Sequence, residues 1–284
     1  LYGIILIFLQ IFFLRELIPV FHGNEYVIGI VMAHWLFAAG VSNYSYRYVK
    51  KIKDIFGSIV KLLLSLTVFT VISFLFIRSI NLISVTDITQ GISLKTAFVY
   101  SFMAIFPVSF TANLNLIFLK KYFTSSIYLK KIKRYIYEAA GFVIGGVIFS
   151  CFMTSLTTSV LVILIISLIC VICMFLFQNI KIKALFVLLI TALILAAVNF
   201  GGYMEKASIL NNYGGNNVID ISYCDNIQNI LTEKNGEYFF YVNGVNEFAL
   251  PSPEIFEEED FAHLPILHHE NPKNILLIGG IRYL

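Results

Sequence analysis

Charged side chains are scarce in this chain. Only 13% of its 284 residues are Asp, Glu, Lys or Arg, about half the share usual in soluble domains. That shortage excludes an ordinary soluble globular protein and is the composition of a membrane protein. Cysteine is also sparse, with four residues, which excludes a disulfide framework. Cys151, Cys170 and Cys173 lie in apolar runs. The pair Cys170 and Cys173 has the spacing of redox and zinc sites but no second pair or histidine beside it, so these cysteines read as small packing residues. Cys224 stands alone. No basic patch with interleaved aromatics occurs near the C-terminal end, which excludes nucleic acid as a partner.

What fills the chain instead is apolar sequence, 58% of all residues. Crossing a bilayer takes about 20 apolar residues, and backbone in lipid must satisfy its own hydrogen bonds, so such runs are expected to be helices. Seven are expected, at 1–14, 26–41, 59–77, 97–119, 136–153, 159–177 and 184–200. The fifth and sixth are divided only by the polar residues around 154–158. The chain opens on Leu1 inside an apolar run and ends at Leu284, which reads as a fragment clipped at both ends. A cleaved signal peptide is a poor reading, because the first run leads into Arg15-Glu16-Leu17 without a small-residue cleavage site.

The net charge of +3 hides an asymmetry. Residues 1–200 carry 16 Lys/Arg and 5 Asp/Glu, a balance of +11, whereas residues 201–284 carry 4 and 12, a balance of −8. The chain therefore divides into a basic membrane block and an acidic tail. Within the block, alternate loops hold the basic residues: Arg47, Lys50, Lys51 and Lys53, then Lys120, Lys121 and Lys130–Arg134, then Lys181 and Lys183. The opposite loops have only Arg15, Arg78 and Lys95. The positive-inside rule assigns the richer set to the cytoplasm, and an odd seventh span then delivers the tail to the other side. Gly141 and Gly145, four apart, form a small-xxx-small helix face for close packing. Glu138, one turn earlier, is expected near its helix start, where the dipole favours an acid. His34, Asn113 and Asn115 are polar groups inside spans and are read either as interhelical hydrogen bonders or as parts of a substrate or proton route.

In the tail, 201–217 is rich in Gly and Asn and reads as a linker. Strand-like runs at 218–222, 226–232 and 238–242 are separated by the hairpin dipeptides Asn235-Gly236 and Asn243-Gly244. Pro251 and Pro253 precede an acidic, helix-like segment at 254–262. The apolar run at 274–278 then closes on Gly279 and Gly280, as a nucleotide-binding sheet begins. His263 and His269, six apart with proline between, do not share a helix face and read as structural hydrogen bonders, so no metal site is expected.

Several of these pieces resemble one family. His263, Pro265, His269, Asn271-Pro272-Lys273 and Ile275-Leu276-Leu277-Ile278-Gly279-Gly280 follow in an order and at intervals similar to those of the spermidine/spermine synthases, the polyamine aminopropyltransferases. Tyr241-Val242-Asn243-Gly244 resembles a strand-turn piece of that family, and Ser222 with Asn226-Ile227 its opening strand. In the membrane block, Gln10, Leu14-Arg15-Glu16-Leu17, Gly23-Asn24-Glu25, Val27-Ile28-Gly29 and Trp35-Leu36 resemble the start of the family's membrane-integral branch. Glu138, Gly141 and Gly145-Gly146 resemble a second motif of that branch.

The resemblance implies a polytopic helical bundle of about seven spans over 1–200, a linker over 201–217, and β-hairpins followed by the first strand of a truncated Rossmann-like, methyltransferase-type α/β domain over 218–284. It implies transfer of an aminopropyl group from decarboxylated S-adenosylmethionine, as co-substrate, to a polyamine or other small cationic amine. Gly279 and Gly280 would meet the nucleotide, and Glu247, Glu257, Glu258, Glu259 and His263 the amine. A run of acids is equally the solvated face of a helix. After Gly280 the family has another Gly and usually Asp-Gly, where this chain has Ile281, Arg282, Tyr283 and Leu284. The ribose-binding acid and the catalytic Asp lie beyond that point, so no catalytic residue is expected in this chain. The expected setting is an integral, multi-pass protein, bacterial plasma membrane by resemblance, with the bilayer as its partner and a homo-oligomer admitted. Two further readings compete: a transporter or carrier whose tail is a vestigial regulatory domain, and a membrane scaffold.

Overall fold

The structure, a computed structural model, describes residues 1–21, 23–49, 54–83, 93–122, 128–153, 159–175, 213, 216–224, 227–252, 255–268 and 273. The apolar runs form helices α1 (Tyr2–Val20), α2 (Tyr26–Val49), α3 (Ile55–Ile83), α4 (Leu94–Tyr122), α5 (Tyr128–Ile148) and α6 (Ser159–Phe175), with α5 extended by a π-helical turn at Phe149–Met153. Helices α1 to α4 are long and apolar enough to cross a membrane, and Tyr135–Cys151 and Leu161–Cys173 are shorter apolar helical stretches. The expected spans two to six each fall on one of these helices. The seventh, at 184–200, lies outside the described residues.

The first expected span stops too early. It was ended at Leu14 because two charges follow, yet α1 runs on to Val20 with Arg15 and Glu16 both buried. Around α1 the rest of the bundle is assembled. Ile5, Leu9, Phe12, Phe13 and Leu17 are fully enclosed, and Phe8 meets Phe149 of the π turn edge to face at 5.2 Å. Tyr2 donates a hydrogen bond from its hydroxyl to the Ala112 carbonyl of α4 at 2.6 Å.

Helix α5 reaches α1 through glycine, as its spacing predicts. A Cβ at Gly141 would lie 3.3 Å from the Gly3 Cα, and one at Gly145 would lie 2.6 Å from Ile7 Cγ2 and 3.0 Å from Ile4 Cα. Glu138 departs from expectation: α5 begins at Tyr128, so this carboxylate sits well inside the helix. It is balanced by Lys120 of α4 at 3.2 Å rather than by the helix dipole.

The tail forms one antiparallel sheet in the order β1 (Asn217–Cys224), β2 (Ile227–Lys234), β3 (Glu237–Val242), β4 (Val245–Leu250). Both Asn-Gly pairs turn with positive φ, 56° and 87° at Asn235-Gly236 and 48° and 83° at Asn243-Gly244. Two successive left-handed residues are what a type I′ hairpin needs, which is why these dipeptides stand there. Strand β4 lacks a clear apolar alternation and was not among the expected runs. Tyr213, Ile230 and Tyr241 make the sheet's small core. After it, α7 (Ile255–Leu267) is longer than the acidic segment at 254–262, since it continues through Pro265. Proline there removes one backbone hydrogen bond, the one to the carbonyl of residue 261, and the helix ends two residues later.

Replacing Gly145 by Leu should force α5 off α1, at a cost of about 1–3 kcal/mol for overpacking. The midpoint of thermal unfolding in detergent should fall, whereas Gly29→Ala and Gly40→Ala, whose surroundings within 4 Å are open, should leave it unchanged or raise it. In the sheet, burial pushes the Tyr241 phenol up from its ordinary 10.0, with a hydrogen bond from Thr232 opposing. The folded state therefore holds the neutral form more firmly than the unfolded chain does. That contribution is complete below pH about 10 and is lost as pH rises through the higher folded value. Tyr241→Phe should flatten the alkaline loss of β-sheet circular dichroism, and an unchanged alkaline profile would refute this assignment.

Candidate functional site

Three sets of polar residues invite a functional reading: a charge cluster between helices, a seam along α4, and the acids of the tail. The first joins three helices at one end of the bundle. Glu16 near the end of α1, Arg78 near the end of α3 and Ser159 at the start of α6 meet side chain to side chain. The Arg78 Nη2 donates to Glu16 Oε2 at 2.8 Å and to Ser159 Oγ at 3.0 Å. Ser159 Oγ in turn donates to Glu16 Oε1 at 2.6 Å. Glu16 thus receives one bond on each oxygen. Arg78 also lies over the Phe74 ring, 5.2 Å from its centroid. The site is nearly dry, with the Glu16 and Arg78 side chains 4% and 11% exposed. An ion pair this enclosed depends on the hydrogen bonds that meet both oxygens of the carboxylate.

Sequence reasoning saw Arg15 and Glu16 as part of a motif and Arg78 as a loop charge. It did not join them. The usable signal was an acid within an apolar run, which requires a cation from a neighbouring helix.

The second set lies along α4. His34 of α2 is buried, with Nδ1 3.2 Å from Ser101 Oγ and its ring edge-on to Phe98 and Phe102. Ser109 donates to the Trp35 carbonyl at 3.2 Å. These are interhelical bonds of the expected kind. Asn113 instead bonds within its own helix, its amide nitrogen 2.8 Å from the Ser109 carbonyl. Asn115 is fully buried, and neither its amide nitrogen nor its oxygen has a hydrogen-bond partner among the described residues; the same holds for His34 Nε2. A buried amide without partners costs about 1–3 kcal/mol.

In the tail, Glu247 is exposed on β4, and Glu257, Glu258, Glu259 and His263 lie on α7, where Glu259 and His263 are exposed on one face four residues apart. The structure thus gathers most of the candidate amine contacts on a single helix. Gly279 and Gly280, the run 274–278 and His269 lie outside the described residues. No group of three or more His, Cys, Asp or Glu able to hold a metal occurs among the described residues. Cys170 and Cys173 are buried within α6, as expected of packing residues.

Comparison of the chain with family models, with curated proteins and with solved structures finds no match in any of the three.

The charge cluster yields a double-mutant test. Glu16→Leu alone or Arg78→Leu alone should destabilise by about 3–5 kcal/mol, because each strands the opposite charge in the bundle. The double variant should recover most of that loss. Additive losses in thermal unfolding would show that the two charges act independently.

Proposed function

We propose that this chain belongs to a membrane-anchored protein of the aminopropyltransferase type, in which a seven-span bundle carries the opening part of a Rossmann-like domain whose task is to bind a cationic amine. One observation carries the reading. The antiparallel hairpin sheet runs directly into an acidic helix, α7, at the place where the resemblance expects a sheet followed by amine-binding residues. Carboxylates suit a polycation because each contact is charge-assisted. In the reaction the resemblance implies, the neutral amine nitrogen attacks the aminopropyl carbon of decarboxylated S-adenosylmethionine. The carbon–sulfur bond breaks, methylthioadenosine leaves, and the displaced proton passes to a base. None of the residues in this chain is assigned as that base. Gly279 and Gly280 would admit the nucleotide, and Glu247, Glu257, Glu258, Glu259 and His263 would hold the amine.

A second reading, a carrier whose tail is regulatory, is favoured by Asn115 and His34. Buried polar groups with bonding capacity to spare along a membrane helix suit a route for a polar solute.

One titration separates the two. Calorimetry of the purified chain with spermidine should give heat that weakens with salt and disappears in Glu257→Gln/Glu258→Gln/Glu259→Gln, while Asn115→Ala leaves it intact. The opposite pattern, with binding lost in Asn115→Ala and kept in the triple variant, selects the carrier. No heat with spermidine or with decarboxylated S-adenosylmethionine would remove the transferase reading.

A further inference from the structure

The contacts between helices sort the ends of the bundle into two groups. At one end, Phe56 of α3 meets Tyr122 of α4, Lys120 of α4 meets Glu138 and Tyr135 of α5, and Gly3 of α1 lies against Gly141. At the other, Glu16, Arg78 and Ser159 join the far ends of α1 and α3 to the start of α6. The turn between α1 and α2, around Gly23 and Asn24, belongs to this second end. There Asn24 Oδ1 accepts the Tyr26 backbone N–H at 3.0 Å and starts α2.

Charge separates the same two ends. In sequence, the helix ends and connecting segments of the first group carry Arg47, Lys61, Lys120, Lys121 and the basic runs at 50–53 and 130–134, against Asp54 and Glu138. The second has Arg15, Arg78 and Lys95 against Glu16 and Glu25. Exposed tyrosines border both ends, Tyr44, Tyr48, Tyr122, Tyr135 and Tyr137 at the first and Tyr26 at the second, as at the two interfaces of a bilayer. The end whose segments are richer in Lys and Arg is the cytoplasmic one by the positive-inside rule.

The sheet is seated at the other end. Gly23, with φ +68°, faces Asn243 of the β3–β4 turn, and a Cβ at Gly23 would be 3.9 Å from the Asn243 Cβ. Asn243 is itself locked into the sheet, exchanging its backbone N–H and side-chain oxygen with Gln228 at 2.9 and 3.0 Å. From these placements we infer that the hairpin sheet docks through its Asn243-Gly244 turn on the α1–α2 turn, on the extracytoplasmic face of the bundle. On the reading above, the amine that α7 recruits is then one met outside the cytosol. The side of the sheet stands on contacts and charge, whereas the identity of the ligand rests on the proposed function.

The Gly23–Asn243 separation falls within the Cβ–Cβ range of a disulfide, about 3.5–4.5 Å, and the compartment assigned here is oxidising. In the full chain with Cys224→Ala, the pair Gly23→Cys/Asn243→Cys should close into a disulfide in cells without added oxidant, read as a thiol-reversible gel shift. The pair Gly23→Cys/Asn235→Cys, which uses the hairpin turn at the opposite end of β3, should not. Separately, a membrane-impermeant maleimide should label Lys234→Cys equally in intact and permeabilised cells, and Tyr48→Cys only after permeabilisation. Both labelled positions are exposed, so this arm does not depend on how the strained turn at Gly23 tolerates a side chain. Labelling of Lys234→Cys only after permeabilisation would overturn the assigned side. Failure of the Gly23/Asn243 pair to close in isolated membranes, even with oxidant, would overturn the docking. Neither result depends on ligand binding, so loss of the amine reading leaves this one standing.

Discussion

A carboxylate held in an apolar bundle must be neutralised where it stands, and in this protein that requirement falls on Glu16. It lies on α1, the helix enclosed by most of the others, and is matched by Arg78 and Ser159 from two different helices. Apolar packing alone is tolerant of rotation and sliding, because one leucine contact replaces another at little cost. A carboxylate with one donor on each oxygen is not. The cluster therefore specifies which faces of α1, α3 and α6 meet, and the apolar layers of the rest of α1 follow from that register. Polar groups used in this way set a unique arrangement more than they add stability.

At the basic end the constraint is volume rather than charge. Gly3, Gly141 and Gly145 let two backbones approach where any side chain would intervene. Close approach maximises dispersion contacts, which matter more in a bilayer, where lipid removes the hydrophobic drive for helices to associate. The two devices divide the labour along α1: charge near its C-terminal end, glycine near its start. Helix α4 is held differently again. Its residues Phe98, Phe102, Phe106 and Phe110 recur every fourth position, with Phe102 and Phe106 stacked at 4.9 Å and Phe106 and Phe110 at 5.8 Å. That ladder runs beside the buried face bearing Ser101, Ser109 and Asn115, so one helix presents an aromatic side and a polar side.

Much of this organisation was legible in residue order, and the exceptions have physical causes. Six helices were located because hydrocarbon demands long apolar runs, and both hairpin turns because Asn-Gly tolerates left-handed backbone where other pairs do not. The glycine face of α5 followed from four-residue spacing. Helix ends were set too short because a charge was taken to mark the edge of the apolar region. Glu16 shows why that fails: its partners come from helices distant in sequence, and pairing across helices leaves no local trace. Glu138 was misplaced for the same reason, since Lys120 and the true start of α5 both lie outside its own neighbourhood. The acids of α7 were found, though the helix runs on past 262 to Leu267. Strand β4 went unrecognised because an edge strand with one polar face carries little of the alternation by which strands are detected.

The orientation of the sheet changes how the two functional readings relate. A tail in the cytosol would have ready access to a nucleoside sulfonium, and the bundle beneath it would be an anchor only. A tail on the opposite face would meet cations before they reach the membrane, with Glu259 and Asp260 exposed on α7. Within the bundle, the buried side of α4 carries Ser101, which meets His34 of α2, and, towards the basic end, Asn115, one turn from the Ala112 carbonyl that Tyr2 of α1 meets. Among the described residues, Asn115 and His34 Nε2 meet no hydrogen-bond partner, and a polar solute on the carrier reading would supply one. On the proposed readings, an amine held at α7 and a polar path through the bundle are alternatives. The choice between them turns on whether the amine stops at α7 or continues to Asn115.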